Sequence, residues 1–314
     1  MTTETGNDIV AASRFLALGQ PVGIPTETVY GLAANALDEN AVLRIFEVKN
    51  RPHFDPLIVH TYAKSEIGKY VQHIPALAEK LIDAFMPGPV TVLLRKNSLI
   101  PDLVTSGLDN VAIRIPNHPV ALALLQQLPF PLAAPSANPF GYISPTTAQH
   151  VYDQLQGKIP YILDGGATNI GVESTIVGFE DDGPVVYRLG GLAIEDIERV
   201  IGKVRVQLNE SSNPQSPGML KSHYAPRKRL TMYDVLQPVS NTTGVIAFDS
   251  YISGIDEKHQ ILLSPTGDLN EAAKNLFAAM RRLDASDVTE IVAVKFPDTG
   301  LGRAINDRLK RASA

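Results

Sequence analysis

The chain has 314 residues, of which 44% are hydrophobic and 19% are charged, a composition typical of folded proteins with a substantial core. Its net charge of −5 argues against a protein that binds mainly by coating nucleic-acid phosphates. The absence of cysteine excludes disulfides, thiolate metal sites and cysteine nucleophiles.

The first ten residues contain neither a basic segment nor an apolar one. No stretch of the sequence has the roughly 20 apolar residues that span a bilayer. We therefore expect a cytoplasmic protein with no membrane partner.

Apolar residues at helical spacing predict a first helix of about three turns, capped by Asn7 or Asp8 and ended by Gly19 and Pro21. Short β-type segments then alternate with helical ones. The predicted strands are 21–25, 56–60, 90–96, 111–116, 132–136, 161–164, 174–179 and 185–190. The predicted helices are 39–49, 75–88, 118–128, 146–155 and 193–202. This order predicts an α/β fold with a twisted mixed sheet.

The alternation stops near residue 209, which predicts a catalytic domain over 1–208, a linker over 209–228 and a small α/β domain over 229–314. The small domain has predicted strands at 230–235, 244–249, 260–264 and 290–296, and predicted helices at 268–283 and from about Gly300.

The linker carries Met219, His223, Tyr224 and Pro226, which are unusual residues for a simple spacer. Two interpretations stay open at this point. These side chains pack on a domain surface, or the linker closes over a site as a lid.

Neither a GxxxxGK[ST] loop nor a GxGxxG turn occurs, so a phosphate site would be built from side chains. The candidate cations lie beside Pro or Gly near the ends of predicted elements: Lys49, Arg51, Arg114 and Arg188. Hydroxyl and amide groups come with them in turns: Thr26, Thr28, Ser136, Asn138, Ser144, Thr146, Ser174 and Thr175.

Two of the candidates lie in predicted buried strands. Arg114 needs a partner or an anionic ligand there, because a buried charge is costly. His60 ends another such strand, where it is either a core residue bonded to backbone or a ligand contact. No GxSxG elbow or HExxH pair occurs, so we set serine hydrolysis aside and predict no metal held directly by side chains.

Several segments resemble one family in order along residues 20–228, namely "IPTETVYGLAANA", "KNRPHFDPLIVH", "MPGPVTVLL", "VAIRIPNHP", "APSAN", "SPTTAQHV", "ESTIV", "YRLG" and "SPGMLKSHYAP". They are similar to the two-domain threonylcarbamoyl-AMP synthases of the YrdC-like superfamily. The resemblance implies a YrdC-like domain with a concave cationic cavity and a smaller Rossmann-like C-terminal domain.

The resemblance also implies the reaction. L-threonine, bicarbonate and ATP with Mg²⁺ would give L-threonylcarbamoyl-AMP and pyrophosphate. A separate threonylcarbamoyl transferase complex, a transient partner, would then modify tRNAs that read codons beginning with A. We expect no strong direct nucleic-acid binding.

Roles carried over by the resemblance fall into three sets. The catalytic set, which would face the phosphates or the carbamate, consists of Lys49, Arg51, Ser136 and Asn138. Holding threonine would be Thr28, His60, Arg114 and Ser174. Contacting the nucleotide would be Arg51, Asp55, Asn110, Ser136, Ser144, Arg188 and Tyr224.

This sequence departs from the family pattern at two of these positions. Asp55 stands where the family often has Asn, so that contact would be acidic and act through Mg²⁺. Asn110 stands where Thr is expected.

Two other functions compete with the synthase. An RNA-binding module could use the cationic hollow, although the net charge disfavours it. A related carbamoyl-transfer enzyme could use a different acceptor.

Overall fold

The structure is a computed structural model that describes residues 2–208, 222–233, 240 and 242–314. Predicted residues inside the gaps, including Met219 and most of the linker, lie outside the described residues. Within the described ranges no helix is both long and apolar enough to cross a bilayer.

A large mixed sheet forms the first part of the molecule. Its strands are β1 (Glu4–Gly6), β2 (Val22–Ile24), β3 (Gly31–Asn35), β4 (Ile58–His60), β5 (Val90–Arg95), β6 (Asn110–Arg114), β7 (Leu132–Ala133), β8 (Tyr161–Leu163), β9 (Thr175–Glu180), β10 (Gly183–Arg188) and β11 (Arg205–Val206). In space the described strands follow the order β1-β8-β2-β3-β7-β4-β6-β5-β9-β10-β11.

Helices cover this sheet and contribute apolar faces to its core. They are α1 (Ile9–Ala17), α2 (Glu39–Lys49), α3 (Lys64–Ile67), α4 (Ala76–Phe85), α5 (Asp102–Thr105), α6 (Pro119–Gln127), α7 (Ala148–Leu155) and α8 (Ile194–Ile201). Asp8 caps α1 by accepting from the backbone of Val10 and Ala11, as one of the two predicted caps.

A second, smaller unit contains a four-stranded parallel sheet in the order β12-β15-β13-β14. Its elements are β12 (Leu230–Met232), β13 (Thr243–Ala247), β14 (Gln260–Leu262), β15 (Glu290–Ala293), α9 (Leu269–Ala285) and α10 (Gly302–Ala312). A 3₁₀ turn over Glu257–His259 precedes β14. The predicted α/β class with a mixed sheet and a smaller α/β unit is confirmed.

The sequence did not predict β1, β3, β11 or the short helices α3 and α5. β1 and β11 have polar or exposed residues, and β3 contains no β-branched or aromatic side chain. Each of these strands forms because a neighbouring strand offers backbone groups to pair with, as β8 does for β1, β2 and β7 do for β3, and β10 does for β11. Predicted strand 230–235 is a strand only over Leu230–Met232, and residues 234–235 lie outside the described ranges.

The two units share a buried interface. The core of the small unit also contains Val29, Ile143 and Val172 from the large unit. Tyr142 of the large unit donates to Asp284 on α9 at 2.6 Å, and Arg281 on α9 donates to the backbone carbonyl of Ser144 at 3.2 Å. The small unit therefore packs directly against segments that lead into the candidate site.

Gly171 marks a close backbone approach between the units. Its φ is +80°, and a Cβ atom there would lie 2.5 Å from the Cα and carbonyl oxygen of Lys274 on α9. We expect Gly171→Ala to cost about 1–2 kcal/mol from left-handed strain and a further 1–3 kcal/mol or so from overpacking. Urea unfolding measures the loss.

Gly166→Ala is the matched control for Gly171→Ala. Gly166 has a φ of +83°, but a Cβ atom there meets nothing within 4 Å. Gly166→Ala should therefore lose only the stability that left-handed backbone strain costs, with no loss from overpacking. Equal losses in the two variants would contradict close docking of α9 at Gly171.

Candidate functional site

The ends of several strands of the large sheet meet around one cavity. β4 and β6 run parallel, with His60 opposite Arg114. Arg188 ends β10 and lies opposite Ile176 on β9. On its other side, Ile176 pairs with Thr91 on β5. The cavity has about 560 Å³ of free space, part of it open to solvent.

Seven predicted site residues line this cavity: Thr28, Arg51, His60, Arg114, Ser136, Arg188 and Tyr224. They come from positions as far apart in sequence as Thr28 and Tyr224, so tertiary structure alone brings them together. Thr26, Glu173 and His223 also line it.

The cationic loop at the end of α2 contributes Arg51. Helix α2 ends at Asn50, whose left-handed conformation (φ 51°) turns the chain so that Arg51 faces the cavity. Arg51 donates to the carbonyls of Asp55 and Pro56 at 3.0 and 2.8 Å, and its Nη2 lies 2.8 Å from a carboxylate oxygen of Asp55. The loop therefore holds this guanidinium rigidly.

Lys49 lies behind the cavity rather than in its lining. Its ammonium donates to the carbonyls of Ser136 and Asn138 at 2.6 and 2.5 Å. Burial, together with the charge of Arg51, holds the pKa of Lys49 well below its ordinary value. Lys49 thus fixes the loop that presents Ser136 to the cavity.

Arg114 is held on three sides. It donates through Nε to the carbonyl of Gly88 at 3.2 Å and through Nη1 to the hydroxyl of Thr28 at 2.9 Å. Its Nη2 lies 2.8 Å from the carboxylate of Glu27, and both side chains are buried. The partner that the sequence demanded for Arg114 is therefore Glu27, although Arg114 still faces the cavity.

His60 lies beside Arg114 with 3% of its surface exposed, and its Nδ1 is 3.2 Å from the carbonyl of Ile58. Burial and the charge of Arg114 lower its pKa to about 3. The ring is neutral near pH 7. His60 therefore contacts backbone, as one sequence interpretation has it, and also lines the cavity, while its contact with a ligand stays a prediction.

Arg188 and Ser174 form the opposite wall. Arg188 donates to the carbonyl and the hydroxyl of Ser174, each at 3.0 Å, and the Ser174 hydroxyl lies 2.7 Å from that of Thr91. Burial lowers the pKa of Arg188 to about 10, so it stays charged near neutral pH. Ser174 orients Arg188 from behind the lining.

Glu173 connects this wall to the small unit. One carboxylate oxygen accepts from Ser144 at 2.5 Å, and the other accepts from Nε of Arg308 on α10 at 2.8 Å. Burial alone would raise the pKa of Glu173, but Arg308, Arg188 and the Ser144 hydrogen bond outweigh it and lower the pKa. Glu173 is therefore an anion.

The described end of the linker, residues 222–228, closes one side of the cavity. Tyr224 is 1% exposed and has a φ of 64°. Its ring stacks on Phe277 at 5.6 Å, while the guanidinium of Arg308 lies 4.9 Å from its centroid. His223 packs edge-on against Tyr224 at 4.1 Å.

Some predicted site residues do not line the cavity in this structure. Lys49, Asp55, Asn138, Ser144 and Ser174 are buried behind it, each bonded or ion-paired to a neighbour. Asn110 lies at the exposed start of β6, four residues and roughly 13 Å from Arg114. The structure thus brings the other predicted residues together and leaves Asn110 apart.

Three important residues escaped the sequence interpretation. Glu27 and Glu173 stand inside the quoted motifs "IPTETVYG" and "ESTIV". Their position next to the candidates Thr28 and Ser174 was the sequence signal that could have identified them. Arg308 carried no sequence signal, because only packing of α10 brings it to Glu173.

The described residues contain no group of three or more His, Asp or Glu side chains arranged to hold a metal ion. The acids next to the cavity are already engaged. Asp55 is paired with Arg51, Glu27 with Arg114, and Glu173 with Arg308.

Comparisons with known proteins cover both units. A family model described as telomere recombination, named for Sua5, YciO and YrdC, matches residues 14–190. A second model, described as the C-terminal domain of threonylcarbamoyl-AMP synthase, matches residues 192–314.

Relatives match over nearly the full chain. The threonylcarbamoyl-AMP synthase of Pyrococcus abyssi is 42% identical over 96% of this chain and 93% of its own length. That of Bacillus subtilis is 40% identical over 97% and 92%. The crystal structure of P. abyssi Sua5 complexed with L-threonine matches with a TM-score of 0.90 at 38% identity, covering 100% of this chain and 98% of that chain.

Buried histidines should make the protein less stable in acid. The pKa is lowered to about 3 at His60 and about 4 at His150, mainly by burial. Below the ordinary value of about 6.5 the unfolded chain binds protons that the folded chain does not. Stability that is present above pH 6.5 should fall by about 1.4 kcal/mol per pH unit per group as the pH drops toward these values.

Denaturant unfolding between pH 7.5 and 5 measures this loss. His60→Asn, which cannot be protonated, should show a shallower decrease in the free energy of unfolding. The exposed His73→Asn, as a control, should keep the wild-type slope. A slope for His60→Asn equal to that of the wild type would contradict a lowered pKa at His60.

Proposed function

Because the chain belongs to the threonylcarbamoyl-AMP synthase family, we propose that its cavity is where ATP, L-threonine and bicarbonate are joined. The chain is an enzyme that synthesises threonylcarbamoyl-AMP, a nucleotidyl transfer that serves tRNA modification through threonylcarbamoyladenosine. The single observation that supports this location best is the convergence of Arg51, Arg114 and Arg188 on one shielded cavity.

Charge explains why this cavity suits the reactants. A triphosphate, bicarbonate and the carboxylate of threonine repel each other, so they need fixed cations between them. Arg51, Arg114 and Arg188 are each anchored to protein carbonyls or hydroxyls, so they need little reorganisation when substrates bind. Such preorganised charge is the principal catalytic resource that this chain offers.

We assign the threonine subsite to the end of the cavity at β4 and β6. Arg114 would pair with the carboxylate, with Thr28 beside it. His60 is neutral and can exchange a hydrogen bond without adding charge. Ser174 would act from the facing wall, next to Thr91.

We assign the nucleotide to the remaining lining. Arg51, Ser136, Arg188 and Tyr224 would contact it directly. Lys49 and Asn138 support the loop that presents Ser136. Ser144 would act from behind the lining. The contact between Asn110 and the nucleotide stays a prediction, and it requires the nucleotide to extend beyond the cavity.

The proposed reaction has two steps. The amine of threonine forms a C–N bond to the carbon of bicarbonate, or of the CO₂ that dehydration of bicarbonate provides. Overall one water leaves, made of the bicarbonate hydroxyl and a proton of the amine, and a carbamate remains. A carbamate oxygen then attacks the α-phosphorus of ATP, and the bond to pyrophosphate breaks. Positioning and charge neutralisation can supply most of the rate, so no general base is assigned.

Mg²⁺ is proposed only as the companion of ATP. The acids beside the cavity are engaged with arginines, so the described residues do not form a protein-held site for the ion. Mg²⁺ usually keeps several waters and binds substrate phosphates. Asp55 is fully buried against Arg51, which favours a role in fixing that arginine over one acting through Mg²⁺.

We propose the domain division 1–208, 209–228 and 229–314, with the linker as a lid. Tyr224 and His223 at its described end line the cavity, and a carbamate needs protection from water between the two steps. Transfer of the product to a tRNA threonylcarbamoyl transferase complex, tRNAs for codons beginning with A and a cytoplasmic location stay predictions. The near full-length relatives favour the synthase over the RNA-binding module and the other carbamoyl transferases.

Release of pyrophosphate should require ATP with Mg²⁺, threonine and bicarbonate together. Arg51→Ala should lower this rate by about 10²- to 10³-fold, the usual effect of losing a preorganised charge contact. Arg14→Ala, which removes an exposed arginine of α1, should leave it unchanged. Pyrophosphate formed without threonine would overturn the proposal.

The Thr28 hydroxyl should matter for threonine rather than for ATP. Thr28→Val removes the hydroxyl that Arg114 donates to and should raise KM for threonine roughly ten- to hundredfold, since hydrogen bonds to charged groups are worth about 1.5–3 kcal/mol. Thr28→Ser keeps the hydroxyl and should restore most of the affinity. Steady-state kinetics with each substrate varied would show this split, and an unchanged KM for threonine in Thr28→Val would refute the assignment.

A further inference from the structure

Arg308, on the last helix of the small unit, reaches the wall of the cavity. Its side chain is fully buried. Its Nε donates to Glu173 at 2.8 Å, and its Nη2 donates to the carbonyl of Leu189 at 2.8 Å. Both of these partners belong to the large unit, next to Ser174 and Arg188.

Glu173 gives this contact its importance, because it is the one acid among the described residues that line the cavity. A free carboxylate there would repel a triphosphate at close range. Arg308 neutralises Glu173 and occupies one of its oxygens, which leaves the other to accept from Ser144.

Arg308 also holds the described end of the linker. Its guanidinium lies 4.9 Å from the centre of the Tyr224 ring, on which Phe277 of α9 also stacks. Cation–π contacts of this kind are strongest when they are shielded from water, as this one is. The small unit therefore touches the nucleotide half of the cavity through Glu173 and through Tyr224.

We propose that Arg308 is a positioning residue for ATP, supplied by the C-terminal unit to complete the nucleotide half of the cavity. It acts by cancelling the charge of Glu173 and by fixing Tyr224. This inference rests on the proposed function. It also gives the C-terminal unit a direct part in the reaction, beyond anchoring the linker.

Kinetics of the full-length enzyme test this role. Arg308→Met keeps the approximate length of the side chain but removes its charge and donors. It should raise KM for ATP about tenfold or more, the effect of losing one charged hydrogen bond, while KM for threonine changes less than about threefold. Equal increases in both constants, or no increase for ATP, would overturn the proposal.

Arg311→Met is the matched control. Arg311 lies on the same helix, is nearly as buried, and like Arg308 pairs with Asp307. Neither arginine lines the cavity itself, but Arg308 contacts the lining residues Glu173 and Tyr224. It should lower the unfolding temperature without changing KM for ATP. If it raised KM for ATP as much as Arg308→Met does, the effect would be one of general stability and the proposal would fail.

A charge-rescue variant separates positioning from simple packing. In the Arg308→Met background, Glu173→Gln removes the carboxylate left without a cation and should recover at least threefold of the lost ATP affinity. No recovery would refute charge cancellation. If Arg308→Met does not fold, Arg308→Gln with and without Glu173→Gln decides by the same comparison, because glutamine removes the charge but keeps a hydrogen-bond donor.

Failure of this inference is distinguishable from failure of the proposed function. The wild-type enzyme must first form pyrophosphate only with threonine and bicarbonate present. If it does so and the Arg308 variants show no ATP-specific change, the inference alone is wrong.

Discussion

Buried positive charge is the constraint on which this molecule depends. Three arginines face one cavity, and a buried charge is tolerated only when it is paired and hydrogen-bonded. Each arginine is therefore tied to protein acceptors: Arg51 to the Asp55 loop, Arg114 to Glu27 and Thr28, and Arg188 to Ser174. The same ties that make the charges tolerable also fix their directions.

Two acids adjust this charge without facing the substrates. Glu27 and Asp55 lie behind their arginines, so they reduce the cost of burial and leave the cationic side toward the cavity. Glu173 differs, because it lines the cavity and needs Arg308 from the small unit. The two units therefore share one electrostatic arrangement as well as an apolar interface.

The two histidines that line the cavity contribute neutral rings rather than charge. His60 and His223 both line the cavity, and burial among arginines lowers the pKa of each. A neutral ring at His60 adds no second positive charge beside Arg114, whose own charge is already partly balanced by Glu27. The protein thus places its charge in a few rigid guanidinium groups.

The sequence by itself determined the fold class, most helices and strands, and most of the cavity lining. Alternation of apolar segments marked β4 and β6, and the cations and hydroxyls stood at element ends, where side chains can face a crevice. These are local properties, which a linear pattern records. Only the tertiary structure decided which acid pairs with which arginine, that Lys49 and Asp55 lie behind the cavity, and that Asn110 lies apart from it.

The unpredicted elements have the same explanation. β3 exists because β2 and β7 pair with it, and Arg308 reaches Glu173 because α10 packs across the interface of the two units. These contacts join residues up to 135 positions apart. Their energy comes from neighbours that are distant in sequence, so a pattern read over a few residues contains no trace of them.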